Sequence, residues 1–231
     1  MNLLKFNRTL ASTPIALTIG ALKPSRRRFG STSSLQFLQF IVETGVAIAI
    51  WSRGVCSDWQ TWLMQLPSQK LPSCLLQVSL GEVIPALQAA CDISGMSQGQ
   101  KRNDCLADIA KKAGIFLSQP ACDEVQLHLD IITNSSYKKW HPNCTPLCMI
   151  YTYRGPGTKW VPLDADRQTL VKQEDEVPWS STMKTADAAF FKEYGWPGQV
   201  QQCSIVHSSP RIARLALVLA AARESMTRRK Q

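Results

Sequence analysis

The sequence predicts an α+β protein in which N-terminal helices and strands pack on a C-terminal antiparallel β core. Three observations carry this reading. In the body of the chain, helical spacing of apolar residues falls between Ser57 and Leu117. Strict alternation of apolar and polar residues begins at Val125, and thirteen prolines and twelve glycines are spread along the chain. Frequent turn residues suit short strands better than a helical bundle, and strands following helices are the α+β pattern. An antiparallel sandwich or barrel fits the C-terminal part best.

The elements follow in order. Thr44–Trp51, TGVAIAIW, is a short apolar run without helical period and reads as a buried strand. Ser57–Leu66 reads as a helix: Ser57 can cap it, Trp59, Trp62, Leu63 and Leu66 keep helical spacing, and Pro67 ends it. Cys74–Leu80 reads as a strand, a helix lies near Glu82–Cys91, and Ser94–Gln100 is a loop. Asn103–Leu117 is a second clear helix, with Leu106, Ile109, Ala110 and Ala113 on one face. In EVQLHLDIIT, Val125, Leu127, Leu129 and Ile131 share one strand face, while Gln126, His128 and Asp130 share the other, which reads as exposed. Leu147–Tyr153 is rich in strand formers, Gly155-Pro156-Gly157 turns the chain, and TKWVPL is expected to run back beside it. Asp164–Glu176 is a polar surface excursion, and QCSIVHSS and RLALVL are two closing strands. In the last of these, Arg214, Ala216 and Val218 share one face, and Leu215, Leu217 and Leu219 the core face.

The formal net charge is +9, but it is unevenly spread. Six of the 26 basic residues and none of the 17 acidic ones fall in positions 1–42, so the remainder carries only +3. No basic stripe with interleaved aromatics is present, which argues against nucleic-acid binding. The first 30 or so residues read as an address instead. Leu3, Phe6 and Leu10 fall on one helical face, Lys5 and Arg8 lie off it, and SRRRFGSTSS puts arginines before an aromatic and small residues. This pattern resembles a mitochondrial transit peptide, with a plastid peptide as the alternative. Residues 1–34 are thus expected to be transit peptide and linker, 35–222 a single globular domain, and 223–231 a basic tail. No apolar run approaches the roughly 20 residues that a membrane span needs. The eight cysteines are scattered without a CxxC and read as reduced small hydrophobes.

Several stretches occur in the order of a known family. GVAIAIWSR, DIITNSSYKKWHPNCTPLCMIYTYRGPGTKWVP, KEYGWPG and IVHSSPRIARLALVL resemble the motifs of the bacterial domain-of-unknown-function family numbered 1826, over roughly Thr44–Leu219. That family usually has an Asp where this chain has Asn143, and an Arg where it has Ser208. Its pattern looks like a double-stranded β-helix (jelly-roll-like) oxygenase. There an H-x-[DE] pair sits at the end of one strand, a second histidine lies on a late strand, and an arginine on the last strand holds the carboxylate of 2-oxoglutarate.

The resemblance implies His141, Asn143 and His207 as metal ligands, with Fe(II) and 2-oxoglutarate as the cofactors, held weakly or not at all. Non-haem iron needs two imidazoles and a carboxylate, and a neutral amide is a poorer donor. Arg214 is the candidate clamp for a carboxylate, with Arg211 as the alternative. Tyr153 and Trp160 are the candidate cavity walls. A zinc reading would join His141 to Cys144, Cys148 and perhaps Cys203. Residues four apart in a straight strand are about 13 Å apart, so only a bend at Pro146 would bring Cys144 and Cys148 together. A non-catalytic scaffold, with a small molecule or a protein as its partner, is the competing reading of the same fold. The acid-free leader yields a testable expectation: terminal sequencing of the native protein should find a start near Gly30–Ser34, and an intact Met1 on cytosolic protein would refute import.

Overall fold

The computed structural model describes residues 28–32, 40–43, 46–53, 57–119, 124–132, 139–142, 145–162, 177–192, 196, 205–210 and 214–221. Its strands are β1 (Arg28–Thr32), β2 (Val46–Trp51), β3 (Cys74–Val78), β4 (Val125–Ile132) and β5 (Leu147–Arg154), followed by β6 (Lys159–Pro162), β7 (Ser181–Thr182), β8 (Ala188–Lys192), β9 (Ile205–Ser208) and β10 (Arg214–Ala221). Its helices are α1 (Asp58–Gln65), α2 (Val83–Ser94) and α3 (Gln100–Leu117). Seven strands form one sheet in the order β1-β2-β8-β5-β10-β4-β3, antiparallel except for the β1–β2 edge, and β7-β6-β9 form a small second sheet. The α+β class expected from the sequence is borne out. No helix among the described residues is long and apolar enough to cross a membrane.

The middle strands of the large sheet, β2, β8, β5 and β10, are buried on both faces, and residue parity sorts the side chains. On β4, Val125, Leu127 and Leu129 join α2 and α3 in the main core. On β10, Leu215, Leu217, Leu219 and Ala221 do the same, as the alternation in the sequence required. The opposite face packs on the small sheet through a second cluster that includes Ile48, Ile150, Ala189, Phe191 and Ile205. A strand with two dry faces reads as a continuous apolar run, which is why AAFFK (β8) has no legible period although it lies between β2 and β5.

Several expectations need correction. The N-terminal strands do not form a layer on the β core but enter its sheet, β2 beside β8 and β3 beside β4. Arg28–Thr32 pairs in parallel with β2. TKWVPL does not run back beside β5: β6 crosses to the small sheet and pairs with β9 and β7. The Gly-Pro-Gly turn makes this crossing, and its two glycines serve different needs. Gly155 takes φ 85°, which disfavours a side chain. At Gly157 a Cβ would lie 2.1 Å from the Met183 carbonyl oxygen, so the constraint there is space. The polar excursion 164–176 and the leader up to residue 27 lie outside the described residues.

A charged cluster sits between the helices and β5. Lys112 of α3 is 1% exposed, forms an ion pair with Asp108 one turn earlier, and places Nζ 3.9 Å from the centroid of the Tyr151 ring. Arg53 donates to Asp108 at 2.8 Å and the Tyr153 hydroxyl donates to it at 3.0 Å. Burial lowers the Lys112 ammonium to about 8, against the pull of Asp108. Burial would raise the Asp108 carboxyl, but Lys112 and Arg53 outweigh it and hold the group below its ordinary value. Asp108→Asn strands a buried ammonium and should destabilise the fold by about 3–5 kcal/mol in urea unfolding. Lys111→Gln, at an exposed position on the same helix, should stay within about 0.5 kcal/mol.

Candidate functional site

The outward faces of β4, β10 and β5 form the floor of a cleft of about 300 Å³. Its first feature is a histidine pair. His141 and His207, distant in sequence, form an isolated antiparallel bridge, each backbone N–H donating to the other's carbonyl at 3.0 Å. Residues paired in this way point their side chains to the same side of the sheet. The two rings are 4.3 Å apart between centroids, inclined at 57°. His141 Nδ1 lies 2.8 Å from the Lys139 carbonyl, an acceptor, so Nδ1 carries a proton. His207 is buried, and burial, with help from His141 and Arg214, pushes it down to about 3. It is therefore a neutral imidazole, and its Nδ1 has no hydrogen-bond partner among the described residues.

The second feature is Arg214, at the start of β10 and only 4% exposed. It donates from Nη1 to Thr158 Oγ1 at 2.9 Å and Thr152 Oγ1 at 3.5 Å, and from Nη2 to Ser209 Oγ at 2.9 Å. Its Nε has no partner, and no carboxylate approaches within ion-pair distance among the described residues. Burial lowers the guanidinium to about 10 although Asp130 opposes the shift. Three hydroxyls position this cation without neutralising it.

The structure thus brings His141, His207 and Arg214 to one cleft. Asn143 lies outside the described residues, as do Arg211, Cys144 and Cys203. Cys148 is buried and lines the cleft. No group of three His, Cys, Asp or Glu among the described residues is placed to hold a metal ion. Tyr153 is not a cleft wall. Its parity on β5 turns it to the helix side, where it meets Asp108, whereas its neighbour Thr152 faces Arg214. Trp160 pairs directly with His207 in the β6–β9 ladder and packs in the inter-sheet cluster, so it supports the pair from beside the cleft.

The residues that sequence reasoning placed on a solvent face are Gln126, His128 and Asp130, and all three line the cleft. With His128, every histidine in the sequence borders this one space. The polar side of EVQLHLDIIT was a legible signal, but only the pairing of β4 with β10 shows that it faces the small sheet's side.

Comparison with known proteins covers most of the chain. A family model described as protein of unknown function (DUF1826) matches residues 32–220, and the chain belongs to that family. No curated protein and no solved structure matches it.

The depressed His207 sets a pH dependence. Between pH 6.5 and about 3 the unfolded residue takes up a proton that the buried ring refuses, so metal-free protein should lose stability as pH falls through that window. His207→Gln should flatten the slope by up to ~1.4 kcal/mol per pH unit in denaturation series. An unaltered slope would show that the ring titrates as it does in the unfolded chain.

Proposed function

We propose that this protein binds a small carboxylate-bearing molecule in the inter-sheet cleft, beside a weakened metal site on a jelly-roll scaffold of the oxygenase type. Arg214 carries the reading. A buried cation without a counter-charge is costly, and a ligand carboxylate accepting from its Nε edge would remove that cost. The hydroxyls of Thr158, Thr152 and Ser209 hold the guanidinium in place beforehand, so little is lost in ordering it on binding.

The path of the chain supports the jelly-roll part. From β4 it visits the His141 bridge beside the small sheet, returns to β5, crosses to β6 and β7, returns to β8, crosses to β9 and closes on β10. Eight segments shared between two facing sheets are what a double-sheet jelly roll requires.

The metal part rests on the histidine pair. His141 and His207 offer two adjacent imidazoles, the second of them neutral, and the Lys139 carbonyl orients the first. Asn143 would be the third donor, a neutral amide in place of a carboxylate. Bound Fe(II) would supply oxygen-activating chemistry beside the carboxylate that Arg214 holds. The competing reading, a non-catalytic scaffold or partner-binding protein, is favoured by the same Asn143. The acid-free leader supports action in the mitochondrion.

Calorimetric titration tests both parts. Asn143→Asp should bind Co(II) or Fe(II) about tenfold more tightly than wild type, roughly 1.4 kcal/mol. Arg214→Gln, its fold checked by circular dichroism, should lose binding of simple carboxylates. Equal metal affinities would mean that HPN is strand and turn only, and carboxylate binding that survives Arg214→Gln would remove the ligand site.

A further inference from the structure

The cleft holds two opposite fixed charges, and their placement specifies the ligand further. Asp130 pairs with Ala216 across the β4–β10 ladder, and Arg214 lies two residues along β10 on the same face. Such diagonal neighbours are about 7–8 Å apart at Cα. Ala216 offers only a methyl group between them and is fully buried in the floor. Among the described lining residues, Arg214 is the one permanent cation and Asp130 the one carboxylate. They are too far apart to form an ion pair with each other. Asp130 instead lies 3.7 Å from His128 Nε2, beyond hydrogen-bond reach, with about a third of its side chain open to the cleft.

We propose that the cleft selects a zwitterion, a short amino-carboxylate lying across Ala216 with its carboxylate on Arg214 and its ammonium on Asp130. This rests on the carboxylate-binding reading above and narrows it. The unpartnered Nε of Arg214, on a side chain that is 96% buried by its 4% exposure, marks where the carboxylate belongs. A second carboxylate on the ligand would be set against Asp130, so a dicarboxylate such as 2-oxoglutarate is disfavoured. An amine there gains a charge-assisted hydrogen bond. At about 300 Å³ the cleft is at the small end of ligand sites, which suits a compact molecule. Asp130 thereby becomes a specificity-determining residue that reads the end of the ligand remote from Arg214.

Three four-carbon probes separate the possibilities: 4-aminobutanoate, butanoate and succinate, titrated by calorimetry or ligand-observed NMR into the full-length protein. Glycine and β-alanine test shorter spacings. Wild type should bind the best of the amino acids about tenfold more tightly than butanoate, and succinate most weakly. Asp130→Asn, at a partly open position, should bring the amino acid down to the level of butanoate bound by the same variant. Succinate binding as tightly as the amino acids, or an amino-acid preference that survives Asp130→Asn, overturns the zwitterion while Arg214 remains a carboxylate site. Failure of every probe to bind overturns both readings.

Discussion

The pairing of β10 with β5 on one side and β4 on the other decides where every other important residue can be. It places β10 and β5 where both faces are covered, so side chains of alternating parity go to two unlike environments. Odd positions of β10, Leu215 to Ala221, meet the helices; even positions, Arg214 to Ala220, meet the cleft. The same rule divides β5 between Tyr151 and Tyr153 on the helix side and Cys148, Ile150 and Thr152 on the other. A shift of register by one residue would put Arg214 in the apolar core and a leucine in the cleft.

The two faces treat buried cations in opposite ways. On the helix side Lys112 meets Asp108 and the faces of two tyrosine rings, and the cluster is closed. Burial, with Asp108 beside it, pushes the Tyr151 hydroxyl well above its ordinary value. The cysteines nearby are equally inert: burial pushes Cys105 up to about 12 and Cys91 to about 11. Such groups hold α3 to the sheet. On the cleft side Arg214 is ordered by neutral hydroxyls and has no anion beside it among the described residues. Charge compensation closes the first cluster, and among the described residues the second has none.

The histidine pair shows how a weak local feature becomes a site. His141 lies in no extended strand; one bridge to β9 ties it to the sheet. That bridge sets the two imidazoles side by side, and Phe191, 5.4 Å from the His207 ring, closes the apolar side. The pair is dry enough to keep His207 neutral and close enough to Arg214 to feel its charge. Groups of three kinds, imidazole, guanidinium and carboxylate, therefore share one small space.

The sequence by itself determined the class, the helices α1 to α3, the alternation of β4 and the two faces of β10, because those segments each have one dry face or one helical stripe and so carry a period. It also pointed to His141, His207 and Arg214, through the resemblance of their motifs. The tertiary structure alone decided the rest. β8 is buried on both faces and has no period to read. The destination of β6 depends on space at Gly157 and on pairing with a strand some 45 residues later, which no local pattern encodes. Tyr153 was misassigned to the cleft since proximity to the turn was legible and parity relative to the sheet's two faces was not. His128 and Asp130 looked exposed because a polar strand face is the same in sequence whether it meets solvent or a cleft, and only the second sheet, assembled from distant residues, distinguishes the two.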